Sequence, residues 1–251
     1  MTEWSAAKLK ADGKLAMKRS YWLYVLVSLI QGFITAGGAG ISSHASGTSD
    51  SEDLESSLSD LQSIFQDPEM TSIIVGTLIA IGIVAVIYMI ISLLVKIFGF
   101  YPMDVGCRSF FILGQSEKPR FEQVISGFTG NYWNVVKVQF LRALFTFLWS
   151  LLFIIPGIIK MYEYRMIPYI LAENPNLSRK EVFLLSKEMM RGQKWKAFVF
   201  DISFIGWWLL GLITLGILVI FYVQPYYNAA CAELYITLRD RMQEIPLENP
   251  V

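Results

Sequence analysis

Six charged side chains stand inside long apolar stretches of this chain, and they are its first candidates for chemistry. They are Lys160, Glu163, Arg165, Arg142, Asp201 and Glu233. A charge is costly in hydrocarbon, so a charged residue in a membrane-spanning helix normally faces a bundle interior, a cavity or another charge. The six residues are therefore candidates for ion pairing or for binding a polar ligand.

Two interpretations of these charges remain open. Lys160 and Glu163 are three residues apart and can pair on one helical face, whereas Arg165 lies on a different side. In a folded bundle, Arg142 could meet either of the two remaining acids. Internal salt bridges of this kind would stabilise the bundle. Alternatively, the charges line a polar cavity that admits a headgroup, a peptide or an ion, and prolines inside two apolar segments favour this slightly because they free backbone carbonyls.

The sequence contains no catalytic signature. It lacks a glycine-rich phosphate loop, a His-Glu-x-x-His motif and a Gly-x-Ser-x-Gly elbow. The one histidine, His44, lies in a Ser/Gly-rich segment, and Cys107 and Cys231 are far apart in apolar surroundings. We therefore expect no enzymatic activity, no cofactor and no metal site. A membrane enzyme would need an unrecognised acid–base pair, such as Glu163 with Arg165.

The composition is typical of an integral membrane protein. Of 251 residues, 54% are hydrophobic and only 17% are charged, with a mean hydropathy of +0.47, whereas globular chains carry about a quarter charged residues. The 21 basic and 21 acidic residues cancel, so no basic excess would recruit nucleic acid. We predict an all-α, polytopic membrane helix bundle.

Six apolar segments predict membrane spans, because about 20 residues cross about 30 Å of hydrocarbon. They are residues 21–41, 71–95, 135–155, 157–173, 197–213 and 217–238. A hairpin turning at Pro156-Gly157 separates the third span from the fourth. The stretch from Ile202 to Ala232 carries no formal charge and would be about 46 Å long as one helix, so we divide it near residues 214–216. The alternative is five crossings, with Pro156 only kinking one long helix.

The distribution of charge predicts that both termini are cytoplasmic, because loops rich in Lys and Arg stay inside. Five basic residues precede the first span, whereas the segment between the first two spans has seven acids and no Lys or Arg. Six cations lie between Arg179 and Lys196. These cations fall inside only if residues 135–172 cross the membrane twice.

Two further elements are predicted outside the spans. Residues 178–192 predict a basic interfacial helix with a capping box at Ser178 and Glu181, and its apolar stripe would lie along the inner leaflet. The cations expected at the membrane surface are Arg179, Lys180, Lys187 and Arg191. Residues 42–70 predict an acidic extracellular loop containing a short helix, since apolar residues recur there at helical spacing.

Several runs resemble one family of bacterial integral membrane proteins. They are LWSLLFIIPGIIK at residues 148–160, PYILAENP at 168–175, Ser186-Lys187, and DISFIGWW at 201–208. This pattern resembles the domain of unknown function 975 family, found mostly in Gram-positive bacteria. The resemblance implies a multi-span plasma-membrane protein, and the family supplies no catalytic residues.

These observations favour a non-enzymatic function. We expect the protein to bind or help to move a lipid, a lipid-linked precursor or a membrane-active peptide through the cluster around Lys160, Glu163 and Arg165. The alternative is a structural or accessory subunit that docks a membrane protein partner through residues 179–192 and the acidic loop. Membrane lipids are the expected partners, and small-residue faces permit a homo-oligomer.

Overall fold

A computed structural model describes residues 4–36 and 68–244, and all regular structure in those ranges is helical. The main helices are α1 (Ala6–Arg19), α2 (Tyr21–Ala36), α3 (Pro68–Val95), α4 (Tyr101–Ser116), α5 (Tyr132–Leu152), α6 (Ile154–Glu163), α7 (Ile167–Glu173), α8 (Arg179–Met189), α9 (Lys194–Ile202), α10 (Ile205–Ile213) and α11 (Gln224–Glu244). Short helical segments lie at Lys96–Phe100, Phe121–Ile125, Ser126–Thr129 and Val219–Val223. The chain divides into two compact units, residues 39–96 and the remainder.

The smaller unit is described by α3 alone. Of the 28 residues of this helix, 21 are Ile, Val, Leu, Ala, Gly or Met, and the predicted span 71–95 falls within it. Residues 42–67 of the predicted acidic loop, including its short helix, lie outside the described residues, whereas residues 68–70 begin α3.

Three helical stretches in the described residues are long and apolar enough to cross a membrane: Val75–Ser116, Tyr132–Leu152 and Lys194–Ile213. The shorter apolar helix Tyr21–Ile34 covers most of the first predicted span. Six spans and cytoplasmic termini stay predictions.

The first predicted hairpin turns earlier than expected. Helix α5 ends at Leu152, Phe153 has extended backbone (φ −154°, ψ 140°), and α6 begins at Ile154. Pro156 is the third residue of α6, where the backbone N–H has no intrahelical partner and a proline is tolerated. Gly157 lies against α5, since a Cβ there would be 2.7 Å from the Ser150 Cα. The Pro-Gly pair therefore starts a helix and lets it approach its neighbour.

The fourth predicted span is not one helix. Residues 157–173 are divided between α6 and α7 by a turn at residues 164–166. Pro168 is the second residue of α7, and it cannot continue a preceding helix because it has no N–H and its ring clashes with the preceding turn. Pro168 thus marks a helix start rather than a kink within a span.

The second predicted hairpin turns where expected. Helix α10 ends at Ile213, and Leu215 (φ 52°) and Gly216 (φ 83°) adopt left-handed backbone. On either side, the predicted helices are less regular. The segment 197–213 is interrupted between α9 and α10, and the segment 217–238 begins with the π-helical turn Val219–Val223 before α11.

The core of the larger unit joins α1, α2, α4 and α11. Gly13 brings α1 against α11, since a Cβ there would lie 2.8 Å from the Ala230 backbone nitrogen. Tyr24, Phe110 and Phe111 pack edge to face, with each pair of ring centroids 5.4 Å apart. This packing fixes α4 and α11, which carry polar side chains towards α7 and α9.

Candidate functional site

A cavity of about 210 Å³ lies within the larger unit. Its lining residues come from α4, α5, α6, α7, α9, α11 and the turn before α7: Arg108, Arg142, Met161, Tyr162, Arg165, Pro168, Tyr169, Asp201, Tyr227 and Cys231. Three guanidinium groups and one carboxylate thus line a single space. Of the six charged residues singled out from the sequence, the structure brings Arg142, Arg165 and Asp201 together here.

Arg165 and Asp201 form a closed ion pair. Arg165 donates from Nη1 and Nη2 to the two carboxylate oxygens of Asp201, at 2.8 and 2.9 Å. The hydroxyls of Tyr162 and Tyr227 donate to the same oxygens, at 2.8 and 3.0 Å. Four donors thus engage the two oxygens of Asp201. Because Arg165 pairs with Asp201 and Glu163 pairs with Lys160 and Lys194, the acid–base pair of Glu163 with Arg165 does not form.

Arg108 belongs to a second polar group, centred on Asp104. Its Nη1 donates to the Tyr169 hydroxyl at 2.8 Å, and its Nε lies 3.3 Å from Asp104 Oδ1. Asp104 also accepts hydrogen bonds from Gln31 Nε2 at 3.0 Å and Gln139 Nε2 at 3.3 Å. Asp104 is thus shared between one cation and two amides.

Arg142 differs from the other two arginines of the cavity. Its Nη1 donates to Gln139 Oε1 at 2.9 Å, and among the described residues it forms no ion pair with a carboxylate. Arg142 therefore forms a direct ion pair with neither Asp201 nor Glu233, the two acids that it could have met. With Asp104 and Asp201 each engaged elsewhere, three guanidinium groups face two carboxylates. The cavity is short of one negative charge.

Lys160 and Glu163 form a separate cluster. The predicted pair is confirmed, with Lys160 Nζ 2.9 Å from Glu163 Oε1. Lys194, which the sequence did not suggest, approaches Glu163 Oε2 at 2.7 Å. The Ser186 hydroxyl donates to the Glu163 carbonyl at 2.7 Å. Through Ser186 and Lys194, this cluster connects α6 to α8 and α9. Neither Lys160 nor Glu163 lines the cavity.

Glu233 lies apart from both groups. It is partly buried on α11, and its charged neighbours include Asp12 and Lys8 of α1. It does not line the cavity with Arg142. The two residues project from α5 and α11 towards different neighbours, which sequence spacing cannot reveal.

The basic helix α8 begins as predicted. Ser178 Oγ accepts from the Glu181 N–H, and Glu181 Oε2 accepts from the Ser178 N–H at 2.8 Å. These hydrogen bonds lower the pKa of the Glu181 carboxyl below its usual 4.5. The cations Arg179, Lys180, Lys187 and Arg191 are exposed.

The apolar stripe of α8 does not lie where we expected. Val182, Ser186 and Met189 are buried in the protein, and the Phe183 ring packs edge to face against Tyr164 with centroids 5.0 Å apart. An interfacial helix would instead present this stripe to lipid. The stripe is covered because α8 packs on α7, so the exposed side of α8 carries its cations together with Leu184, which is 64% exposed.

Sequence reasoning missed Arg108, Asp104 and Lys194. Arg108 lies in the segment that connects the second and third predicted spans, although Asp104 and Arg108 stand four residues apart in an otherwise apolar stretch, a spacing that indicates an intrahelical pair. The tyrosines around Asp201 carried no comparable signal. Among the described residues, no three His, Cys, Asp or Glu side chains come together in a way that could hold a metal ion.

The fold and the cavity define a class: a helical protein with helices long and apolar enough to cross a membrane, and with a guanidinium-rich cavity among them. Residues 152–242 match the model of the family described as "Protein of unknown function (DUF975)". This match assigns that segment to the family and confirms the resemblance seen in the sequence. The segment contains Arg165, Asp201 and Tyr227, but not Arg108 or Arg142. No curated protein and no solved structure shows significant similarity to the chain.

Proposed function

We propose that this protein is a multi-pass protein of the bacterial plasma membrane that binds, or helps to translocate, an amphipathic molecule through its anionic group. The observation that carries the proposal is the charge deficit of the cavity. Arg142 shares the cavity with two other guanidinium groups, and among the described residues its guanidinium donates to an amide oxygen and to no carboxylate. Asp104 is linked to Arg142 through Gln139, but it is also the partner of Arg108. A partly buried cation with no carboxylate of its own is costly, and an anion would reduce that cost.

The chemistry of the cavity favours an oxyanion. Guanidinium groups present several N–H donors in a planar fork, which matches the oxygens of phosphate or carboxylate. The cavity of about 210 Å³ is smaller than the roughly 300 Å³ at which ligand pockets begin. It therefore suits one headgroup rather than a whole ligand, and the apolar part of the molecule would lie among the helices or in the bilayer.

Arg142→Met separates this function from a purely structural role. Loss of a structural ion pair destabilises the fold, whereas removal of an uncompensated cation leaves the apo protein as stable as the wild type or more so. We expect Arg142→Met to fold normally and to lose the bound anion. The matched control is Lys137→Met, which removes an exposed cation from the same helix.

The measurement is native mass spectrometry of the protein extracted with its surrounding lipid. A discrete anionic mass on the wild type and on Lys137→Met, absent from a folded Arg142→Met, would support the proposal. Equal ligand on all three proteins would contradict it, as would a strong loss of thermal stability in Arg142→Met.

An accessory subunit is the second candidate, favoured by the exposed cations of α8. Arg179, Lys180, Lys187 and Arg191 face outward while the apolar side of the helix is buried. Replacing these four cations with Gln would then release a stoichiometric partner protein while leaving anion binding intact. If no partner co-purifies with the wild type, the candidate fails.

A further inference from the structure

A second cavity, of about 390 Å³, shares two side chains with the first. It is lined by Gln31, Gly32, Arg108, Trp208, Gln224, Tyr227 and Asn228, and Arg108 and Tyr227 line both cavities. The first cavity is smaller than the usual range for ligand pockets, whereas the second lies within it. The two cavities are therefore adjacent, with the Arg108 and Tyr227 side chains on the boundary between them.

The lining of the second cavity differs in chemistry from that of the first. It contains three carboxamides, a phenol, an indole and one guanidinium, and no carboxylate. Arg108 is its only cation and is already engaged by Asp104 and Tyr169. The Gln224 amide has no hydrogen-bond partner among the described residues, and Trp208 is 41% exposed. An amide that is accessible and unpaired, beside an open aromatic ring, can accept a new polar partner.

The chemistry of the lining excludes several classes of ligand for the second cavity. An anion would find no free cation here, and a cation would find no carboxylate. An acyl chain would strip water from the Gln224 amide and leave it without a hydrogen bond, at a cost. A hydroxyl group donates and accepts a hydrogen bond, as a carboxamide does, and the apolar face of a polyol or sugar can lie on an indole ring. Neutral hydroxyl-bearing groups therefore fit this lining best.

We propose that the second cavity binds the hydroxyl-bearing portion of a headgroup whose anionic portion occupies the first. The ligand class is then an anionic lipid with a polyol or sugar attached next to its anion. This inference rests on the proposed function. It adds that Trp208, Gln224 and Asn228 select among anionic lipids by their hydroxyl groups, which the anion site alone cannot do.

The test uses lipids of equal charge whose headgroup alcohols carry an increasing number of hydroxyl groups. The full chain is placed in nanodiscs of a zwitterionic lipid, and dissociation constants are measured for phosphatidylethanol, phosphatidylglycerol and phosphatidylinositol with identical acyl chains. All three are monoanionic phosphodiesters, so the charge is constant. We expect affinity to rise along the series, with phosphatidylinositol about fivefold tighter than phosphatidylethanol, as one or two net hydrogen bonds would give.

Two variants locate the effect. Gln224→Leu and Trp208→Leu should each reduce the advantage of phosphatidylinositol to less than about twofold while leaving phosphatidylethanol binding unchanged. The control is Trp195→Leu, because Trp195 is 72% exposed and lies outside both cavities. A variant that weakens all three lipids equally would overturn the assignment of this cavity to the hydroxyl groups.

The outcomes separate the two proposals. Equal affinity for the three lipids, with binding still lost in Arg142→Met, overturns only the second-cavity inference. No binding of any of the lipids overturns both proposals. Competition by free myo-inositol 1-phosphate as strong as by the lipid would support the cavity assignment but identify a soluble polyol phosphate as the source, and the lipid part of the proposed function would then be wrong.

Discussion

At the residue scale, the arginines of the cavity differ in how their charge is balanced. Asp201 holds Arg165 through two hydrogen bonds of 2.8 and 2.9 Å, whereas Arg142 donates only to an amide oxygen. The first arrangement stabilises the fold, whereas the second is the one to which the proposed function assigns anion binding. A charge inside an apolar segment thus has a role that depends on its partner, not on its depth.

The Arg165–Asp201 pair should behave as a coupled unit. Arg165→Met leaves a carboxylate without its cation and Asp201→Asn leaves a guanidinium without its anion, so each single variant should be destabilised, by about 2 kcal/mol or more. Both side chains are largely buried, at 15% and 26% exposed. The loss in free energy of unfolding of the double variant should therefore be about 1–3 kcal/mol smaller than the sum of the losses of the two single variants. Thermal or denaturant unfolding of the four proteins in detergent measures this coupling. Simple additivity would mean that the two residues do not stabilise each other.

The sequence identified which charges lie in apolar segments but not which of them meet. Lys160 and Glu163 could be paired because one helix fixes their separation. Arg165 and Asp201 stand 36 residues apart, and their contact depends on how α6, α7 and α9 pack. Arg108 escaped notice for a related reason, since it lies in a segment that was interpreted as a loop.

At the element scale, local chemistry predicted helix starts better than helix lengths. The capping box at Ser178 and the turn at residues 214–216 could be predicted, because each depends on a few adjacent residues. The Pro156-Gly157 pair was misplaced because the same two residues suit a turn and the first turn of a helix. Neighbouring helices decide between these possibilities.

The α8 capping box should depend on pH. The pKa of Glu181 is lower in the folded protein than its usual 4.5, so its contribution to stability is present above that value and is lost as the pH falls through the lowered pKa. We expect Glu181→Ala to melt at a lower temperature than the wild type at about pH 7, and the gap to narrow towards about pH 3. Glu188→Ala is the control on the same helix. A gap that stays constant with pH would show that the Glu181 charge has no part in the cap.

Gly106 should be required for the close packing of α4. A Cβ at this position would overlap the backbone carbonyl of Val124, so Gly106→Ala must displace the segment Phe121–Ile125. The expected loss of stability is about 1–3 kcal/mol. The control is Gly206→Ala in α10, where a Cβ meets nothing within 4 Å and the helix should gain roughly 0.5–1 kcal/mol. Equal thermal stability of the two variants would contradict this packing.

At the scale of the whole molecule, the open question is the path of the chain through the membrane. The described residues contain three helical stretches that are long and apolar enough to cross, and charge distribution predicts six crossings. In the six-span arrangement Leu215 is outside and Asn176 is inside. In the five-span alternative Asn176 is outside.

Single cysteines at these two positions distinguish the arrangements. Leu215 and Asn176 are both exposed, and the two native cysteines are buried. In intact cells an impermeant maleimide should label Leu215→Cys, whereas Asn176→Cys should be labelled only after permeabilisation, because six cations near it favour the cytoplasm. Labelling of Asn176→Cys from outside would support five crossings.

Anion binding in the cavity beside Arg142 can be measured directly. The measurement is the dissociation constant of phosphatidylglycerol for the wild type, Arg142→Met and Lys137→Met in nanodiscs of a zwitterionic lipid. A hydrogen bond between charged groups contributes about 1.5–3 kcal/mol, so Arg142→Met should weaken binding about tenfold or more, with Lys137→Met unchanged. Equal affinity of all three proteins would contradict anion binding there and leave the cavity as a structural feature of the bundle.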